Sequence, residues 1–195
     1  MKKPKLILIG GGGHCHSAID VIEEEGRYQI EGIVDFKEKY GQKILGYPVI
    51  ADDEMLKELV KEFQYFLITL GYIKNPDRRI TLFNIIENMG GEFPTIISPY
   101  SFISKHAIIG KGTIVMHNAQ VNANARIGSN CIINSKALVE HDAIIGDHSH
   151  ISTGAIVNGD VIIGNASFVG SGAVIVNNAC IPEKSFIKAN QFIIK

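Results

Sequence analysis

The chain is poor in several features that would direct a reading of its function. Only three of its 195 residues are cysteine (Cys15, Cys131 and Cys180), and no CxxC occurs. So sparse and odd a set builds no disulfide framework, and a reducing compartment, the cytoplasm, is expected. Net charge is nearly absent, at −1. No global field therefore draws the chain to nucleic acid or to an anionic membrane, and neither is expected as a partner. Long apolar runs are missing too. The run near the N-terminus, Leu6 to Ile9, stops at glycines and is too short for a signal-peptide core, and no segment could span a bilayer. Charge is scarcest in the second part. Before Thr95 there are 12 basic and 15 acidic residues; from Thr95 onward there are 7 and 5.

What is present falls into two grammars, and the change between them predicts two domains, residues 1–95 and 96–195. The first reads as strands alternating with helices. Leu6 to Ile9 is a buried-strand pattern. Ala18, Ile19, Val21 and Ile22 form a helical stripe that Gly26 closes. A strand follows over Gln29 to Asp35, then a helix capped by Asp52 and running to Phe63, then a strand over Tyr65 to Leu70. Asn75-Pro76 opens a last helix that Gly90-Gly91 ends. This rhythm predicts an α/β lobe with a small Rossmann-like parallel sheet.

The second grammar has a period of six. Every sixth residue from Ile97 to Ile187, sixteen in all, is Ile or Val. Four places after each of the first fifteen stands a small residue or Val, from Ser101 through Cys131 to Ser185. Six suits neither a helix face nor a hairpin strand. It suits an all-β parallel solenoid in which three hexads close one triangular coil, giving five coils. The β-branched residue stacks inside, and the small one turns the corner. The pattern resembles the left-handed β-helix acyltransferase superfamily. That resemblance implies acyl transfer from CoA or an acyl carrier, and trimers with active sites between neighbouring helices.

Acyl transfer needs a base of near-neutral pKa, a group to orient it, and N–H donors for the oxyanion. The histidine-rich stretch from Asn134 to Gly159 offers candidates. His141 stands third in its hexad, facing outward, with Asp142 beside it. Gly159 comes 18 residues later, one coil above, where it leaves room and bares an N–H. Asn134, Ser152, Gly170 and Lys188 form a second column. From spacing alone, His141 and Asp142 are equally compatible with solvated surface groups. The histidines lack the spacing of the three-histidine zinc site of γ-carbonic-anhydrase-like β-helices, so no metal is expected. In the first part, GGGGHCHS opens a helix after a strand, which suits phosphate binding at the helix N-terminus or merely a tight packing turn. Cys15 replaces the third glycine of a dinucleotide fingerprint, so a mononucleotide or nucleotide-sugar site is expected instead of an NAD site. Arg78 and Arg79 near a helix start could bind phosphate or form a solvated face.

Taken together, GGGGH, IVDFK, ITLG and EHD-x8-I-x2-GA resemble the sialic-acid O-acetyltransferase-like family. They are most similar to the bacterial UDP-4-amino-sugar N-acetyltransferases of bacillosamine and legionaminic acid synthesis. The resemblance implies His141 as base, Asp142 as its acidic neighbour in place of the usual glutamate, and Asn134 near the sugar amine. It implies Gly12, Gly13, His14, Asp35, Lys37 and Gly71 around the nucleotide sugar. Acetyl-CoA, lying along the helix between protomers, implicates His150, Gly159, Gly170, Ser171 and Lys188. Two departures stand out: Phe36 replaces a second acidic residue after Asp35, and the usual GxPAK-like end is replaced by KANQFIIK. The expected activity is transfer of acetyl from acetyl-CoA to the 4-amino group of a UDP-linked 4-amino-4,6-dideoxy-N-acetyl-hexosamine by a cytoplasmic homotrimer. Alternatives are O-acetylation of a sialic-acid-like sugar and non-catalytic nucleotide-sugar binding.

Overall fold

The computed structural model describes residues 3–194. It forms two compact units. One holds the chain up to Gly71 together with Asp77–Pro94; the other holds Tyr72–Pro76 and the chain from Thr95 onward.

In the first unit, β1 (Lys5–Ile9) buries Leu6 through Ile9, as a strand covered on both faces must. Helix α1 (Gly13–Glu25) packs with Cys15, Ala18, Ile19, Val21 and Ile22 buried. It ends at Gly26, where φ is 70° and the N–H returns to the Ile22 carbonyl at 3.0 Å. Glycine enters that left-handed region without the steric cost of a Cβ. Strands β2 (Gln29–Val34), β3 (Lys43–Ile44), β4 (Tyr47–Ala51) and β5 (Tyr65–Ile68) complete a sheet of order β3-β4-β2-β1-β5. Four strands run parallel, but β3 pairs antiparallel with β4. The sheet is therefore mixed, where the sequence rhythm predicts a wholly parallel one. The hairpin turns through Leu45 and Gly46, both at positive φ, which is the geometry of a tight two-residue turn. Leucine in place of Asn or Asp at its first position hides the signal.

Asp52 caps a short turn by accepting from the Glu54 N–H at 3.1 Å, and α2 (Leu56–Glu62) follows. Before α3 (Asp77–Asn88), β5 stops at Ile68, two residues short of the expected Leu70. Arg79 explains how that end is sealed. It is buried, and its Nη1 donates to the carbonyls of Ile68 at 2.6 Å and Leu70 at 2.9 Å. Neither a phosphate contact nor a solvated face describes it. Because β2 and β5 flank β1 on opposite sides, the loop after β1 sits at the switch point, where such sheets open a crevice.

The second unit is a left-handed parallel β-helix with seventeen two-residue strands among the described residues, from β6 (Ile96–Ile97) to β22 (Phe192–Ile193). They stack into three sheets of six, five and six strands, each residue paired with the one 18 positions on. The hexad-leading residues and the small ones four places later fill one core together. Burying each Val or Ile is worth about 1.5–3 kcal/mol, so the repeat itself stabilises the coil. One corner differs from the other two. Its column runs Thr113, Cys131, Ser149, Ser167, Ser185, and these groups bond upward: Cys131 N–H to Thr113 Oγ1 at 2.9 Å, and Ser185 N–H to Ser167 Oγ at 3.2 Å. Buried hydroxyls are thereby satisfied, and each coil is tied to the next.

The sequence pattern conceals one conformational regularity. The fourth residue of most hexads, including Asn124, Asp142, Asp160 and Asn178, adopts positive φ. Asn and Asp tolerate that region better than other side chains. The solenoid also runs one hexad beyond Ile187, since Phe192 and Ile193 pair with Val174 and Ile175. No helix among the described residues is long and apolar enough to cross a membrane.

Candidate active site

His141 follows strand β13 (Leu138–Val139) at a corner of the solenoid. Positive φ at Asp142 folds its carboxylate back, and Oδ2 accepts from His141 Nδ1 at 2.8 Å. Asn124, one coil below, donates Nδ2 to the other carboxylate oxygen at 2.6 Å. A three-residue relay results, in which Asn124 orients Asp142 and Asp142 orients the imidazole. Both partners respond electrostatically. The hydrogen bond from Asp142 raises the His141 pKa above the ordinary histidine value, and desolvation opposes it only in part. The bonds from Asn124 and then His141 hold the Asp142 pKa below the ordinary carboxylate value. An ionised Asp142 fixes the neutral tautomer with its proton on Nδ1, leaving Nε2 as the basic atom.

Nε2 faces a slot. A Cβ added to Gly159 would stand 2.8 Å from His141 Nε2, 2.6 Å from Cε1 and 3.2 Å from Asn177 Nδ2. Glycine is therefore needed for the ring to occupy this position. Gly159 is buried, and its N–H donates to no group among the described residues. At three other third places a side chain meets that N–H: Ser129 donates to Asp147 at 2.7 Å, Asp147 to Asn165 at 2.9 Å and Ser135 to Asn134 at 2.8 Å. A buried N–H without a partner is rare in folded proteins. This one lies next to a basic nitrogen, where a developing oxyanion would need it.

Asn134 and His150 form a second cluster. Asn134 Nδ2 lies 3.3 Å from His150 Nε2, while His150 Nδ1 lies 2.9 Å from the Tyr72 carbonyl. The His150 ring is buried, packed edge-on between Tyr72 at 5.6 Å and Phe168 at 5.1 Å. Tyr72, which sequence reasoning misses, places its hydroxyl within 2.7 Å of the His148 carbonyl and 2.9 Å of the Ser167 carbonyl. In this setting His150 positions Asn134. Ser152 and Ser171 join the same side through their hydroxyls at 2.9 Å. Within one chain this cluster and His141 do not meet. Asn134 follows the strand Ile132–Ile133 and His141 the strand Leu138–Val139, so one whole sheet face separates them.

The remaining candidates divide further. A Cβ on Gly170 would meet backbone, 2.4 Å from the Ala189 nitrogen and 2.6 Å from the Lys188 carbon, so this glycine lets the next coil pass. Lys188 is exposed, and its N–H donates to Gln191 Oε1 at 3.0 Å. His141, Asp142 and Asp160 bring possible ligand atoms within 4.8 Å of one another. Two of them are already bonded to each other, and the exposed group supports no metal assignment.

In the first unit, Gly12 and Gly13 border open space at the start of α1. A Cβ on Gly71 would come within 3.0 Å of the Cβ of His14, so these two candidates adjoin. Asp35 is buried. Its Oδ2 accepts from Gly11 N–H at 3.1 Å and Lys39 Nζ at 2.7 Å, and its Oδ1 from Phe36 N–H at 2.8 Å. Burial pushes its pKa up, but Lys39 and the two N–H groups outweigh it and hold the carboxyl below its ordinary range. The lysine paired with Asp35 is thus Lys39. Lys37 lines a cleft of about 410 Å³ with Phe36, Asp53 and Arg78. There Arg78 covers the Phe36 ring at 4.8 Å and pairs with Asp53 at 3.1 Å.

Comparison with known proteins follows the same two units. Residues 5–86 match the PglD N-terminal domain, and residues 106–141 match the bacterial transferase hexapeptide (six repeats). The resemblance read from the motifs therefore holds for both parts. A histidine-to-asparagine mutant of perosamine N-acetyltransferase from Caulobacter crescentus, in complex with CoA and GDP-perosamine, is similar with a TM-score of 0.91. The match is at 26% identity and covers 98% of this chain and 89% of that one. The acetyltransferase domain of PglB from Neisseria gonorrhoeae gives 0.90 at 28% identity, covering 98% and 92%. Its complex with acetyl coenzyme A gives 0.87 at 28%, covering 98% and 93%. No curated protein matches the chain significantly.

Proposed function

We propose that this chain, in which a PglD N-terminal domain precedes a hexapeptide-repeat transferase domain, is an acetyl-CoA-dependent sugar N-acetyltransferase. The acceptor we assign is the 4-amino group of a UDP-linked 4-amino-4,6-dideoxy-N-acetyl-hexosamine. The observation that carries the reading is the slot at Gly159: a basic Nε2 on one side, an unpartnered buried N–H on the other. Solved relatives that bind CoA with GDP-perosamine, or acetyl coenzyme A, support the donor and a nucleotide-linked amino sugar as acceptor.

The chemistry follows from the geometry. The sugar amine attacks the thioester carbonyl carbon while His141 Nε2 takes its proton. Asp142 stabilises the imidazolium that forms. The Gly159 N–H donates to the carbonyl oxygen as it becomes an oxyanion, and the intermediate collapses by breaking the C–S bond. A thiolate leaves easily, so positioning and one base suffice. Asn134, held by His150, is assigned to the sugar, and the first unit is assigned to the nucleotide. The proposed assembly is a homotrimer in the cytoplasm. Separation of Asn134 from His141 within one chain favours this, because a neighbouring copy can bring one corner up to the other.

The test is release of free thiol from acetyl-CoA with a panel of UDP- and GDP-linked amino sugars and free sialic acids. His141→Ala is expected to lower turnover by about 10²–10⁴-fold while nucleotide-sugar binding survives. Near-wild-type turnover in that variant would sink the assignment. Turnover with sialic acids alone would replace it with O-acetylation.

A further inference from the structure

We infer that Asn177 is a further catalytic residue, its side-chain amide acting with the Gly159 N–H as a second donor to the oxyanion. The inference rests on the acetyl-transfer reading of the same slot.

Asn177 is third in the hexad led by Ile175, one coil above Gly159 and two above His141. At an ordinary corner the intervening side chain would keep such rows apart. Gly159 has none, so the point 2.8 Å from His141 Nε2 is also 3.2 Å from Asn177 Nδ2. A small group in the slot is within reach of the base and of this amide together. The amide is also uncommitted. Asn122 and Asn158, at second places, and Asn124, at a fourth place, use their Nδ2 within the protein: Asn122 donates to Glu140 at 2.8 Å, Asn124 to Asp142 at 2.6 Å and Asn158 to the Ile175 carbonyl at 2.7 Å. Asn177, exposed at the third place, makes no side-chain hydrogen bond among the described residues.

The electron balance fits a neutral donor here. When the amine nitrogen bonds to the carbonyl carbon, the π pair moves onto oxygen, and the amine proton goes to His141. The oxygen then gives its pair back, and sulfur leaves with the C–S electrons and takes up a proton as the thiol. The oxygen carries its charge only between these events. A donor aimed at it acts in the transition state and leaves ground-state binding of acetyl-CoA alone.

The test uses the purified full chain, acetyl-CoA and the acceptor that the panel above identifies. Removing one oxyanion donor typically costs about 10²–10³-fold in kcat. Because the Gly159 N–H remains, Asn177→Ala is expected to lower kcat at least about tenfold, with the KM for acetyl-CoA little changed and the melting temperature unmoved. Asn177→Asp, close to isosteric but unable to donate, should lose at least as much. It also carries the test if the alanine variant melts early. Asn177→Gln, which keeps the donor, should recover part of the loss. Should the wild type turn over, His141→Ala be dead and both Asn177 variants stay within twofold in kcat, the inference alone is overturned. A loss seen only in the KM for acetyl-CoA makes Asn177 a binding contact and also overturns it. A wild type that releases no thiol from acetyl-CoA with any acceptor of the panel overturns the acetyl-transfer reading itself, and this inference with it.

Discussion

Adding one methyl group at Gly159 separates catalytic geometry from folding. A Cβ there would lie 2.6 Å from His141 Cε1 and 2.8 Å from Nε2. Carbon atoms pack at about 3.5–4.0 Å, so the ring must retreat by roughly 1 Å or more. It can do so cheaply. The His141 side chain is 54% exposed, no backbone atom is among the close contacts, and φ at Gly159 is not positive. The fold should therefore tolerate Gly159→Ala, with a melting temperature at or slightly above wild type, because alanine narrows the unfolded ensemble. Catalysis should not tolerate it. Retreat of the ring pulls Nδ1 from its 2.8 Å bond to Asp142 and moves Nε2 out of line with the N–H of residue 159. Misplacement by about 1 Å can cost on the order of 10²-fold. Thiol release from acetyl-CoA, measured beside thermal melting, reads both quantities. A variant with turnover within threefold of wild type would refute the slot as the reaction centre. One that fails to fold would refute the packing argument.

Two further predictions test neighbouring parts. In Asp142→Asn the hydrogen-bonded charge that raises the His141 pKa is gone. The base must be neutral to work, so the ascending limb of kcat/KM against pH should lie above the ordinary histidine pKa in wild type and shift to lower pH in the variant. A limb that stays put or moves upward would contradict the relay. Gly170→Ala supplies the contrast to Gly159→Ala: its Cβ meets backbone at 2.4 Å, which cannot rotate away. Urea unfolding should show a loss of about 1–3 kcal/mol, the usual cost of forced overpacking, and wild-type stability would show that the coil above yields more easily than its contacts imply.

Much of the solenoid is legible because its two rules, an aliphatic leader and a small corner residue, act at every hexad without interruption. Register then follows by arithmetic, and the stacking of Gly159 above His141 is visible before any coordinates. The α/β lobe is harder to read, since its signals are single. Leu45-Gly46 makes a hairpin turn without the usual Asn-Gly signature, so β3 and β4 escape notice. The pairing of Lys39 with Asp35 has no sequence signal, because it depends on the chain turning through Lys37–Lys39 and returning its last lysine to the carboxylate. Arg79 carries no local mark of burial; its role depends on carbonyls left over where β5 ends.

At the site, the legible part is the vertical order within a column and the hidden part is everything that depends on conformation or on which face is covered. Asn124 supports Asp142 because both fourth-place residues adopt positive φ, which turns their side chains along the column. Spacing alone shows them only as two residues 18 apart. His150 is the clearer case. It leads its strand at a place that points outward on all three faces, and on another face the equivalent Ile108, Ile144 and Ile162 are exposed. On its own face Ile114, Ile132, His150 and Phe168 are buried, with Tyr72 lying against the last two. The hexad is identical on every face and so cannot say which one is covered. That information enters from Tyr72, outside the repeat, and it makes His150 a buried group whose Nε2 edge is turned to Asn134.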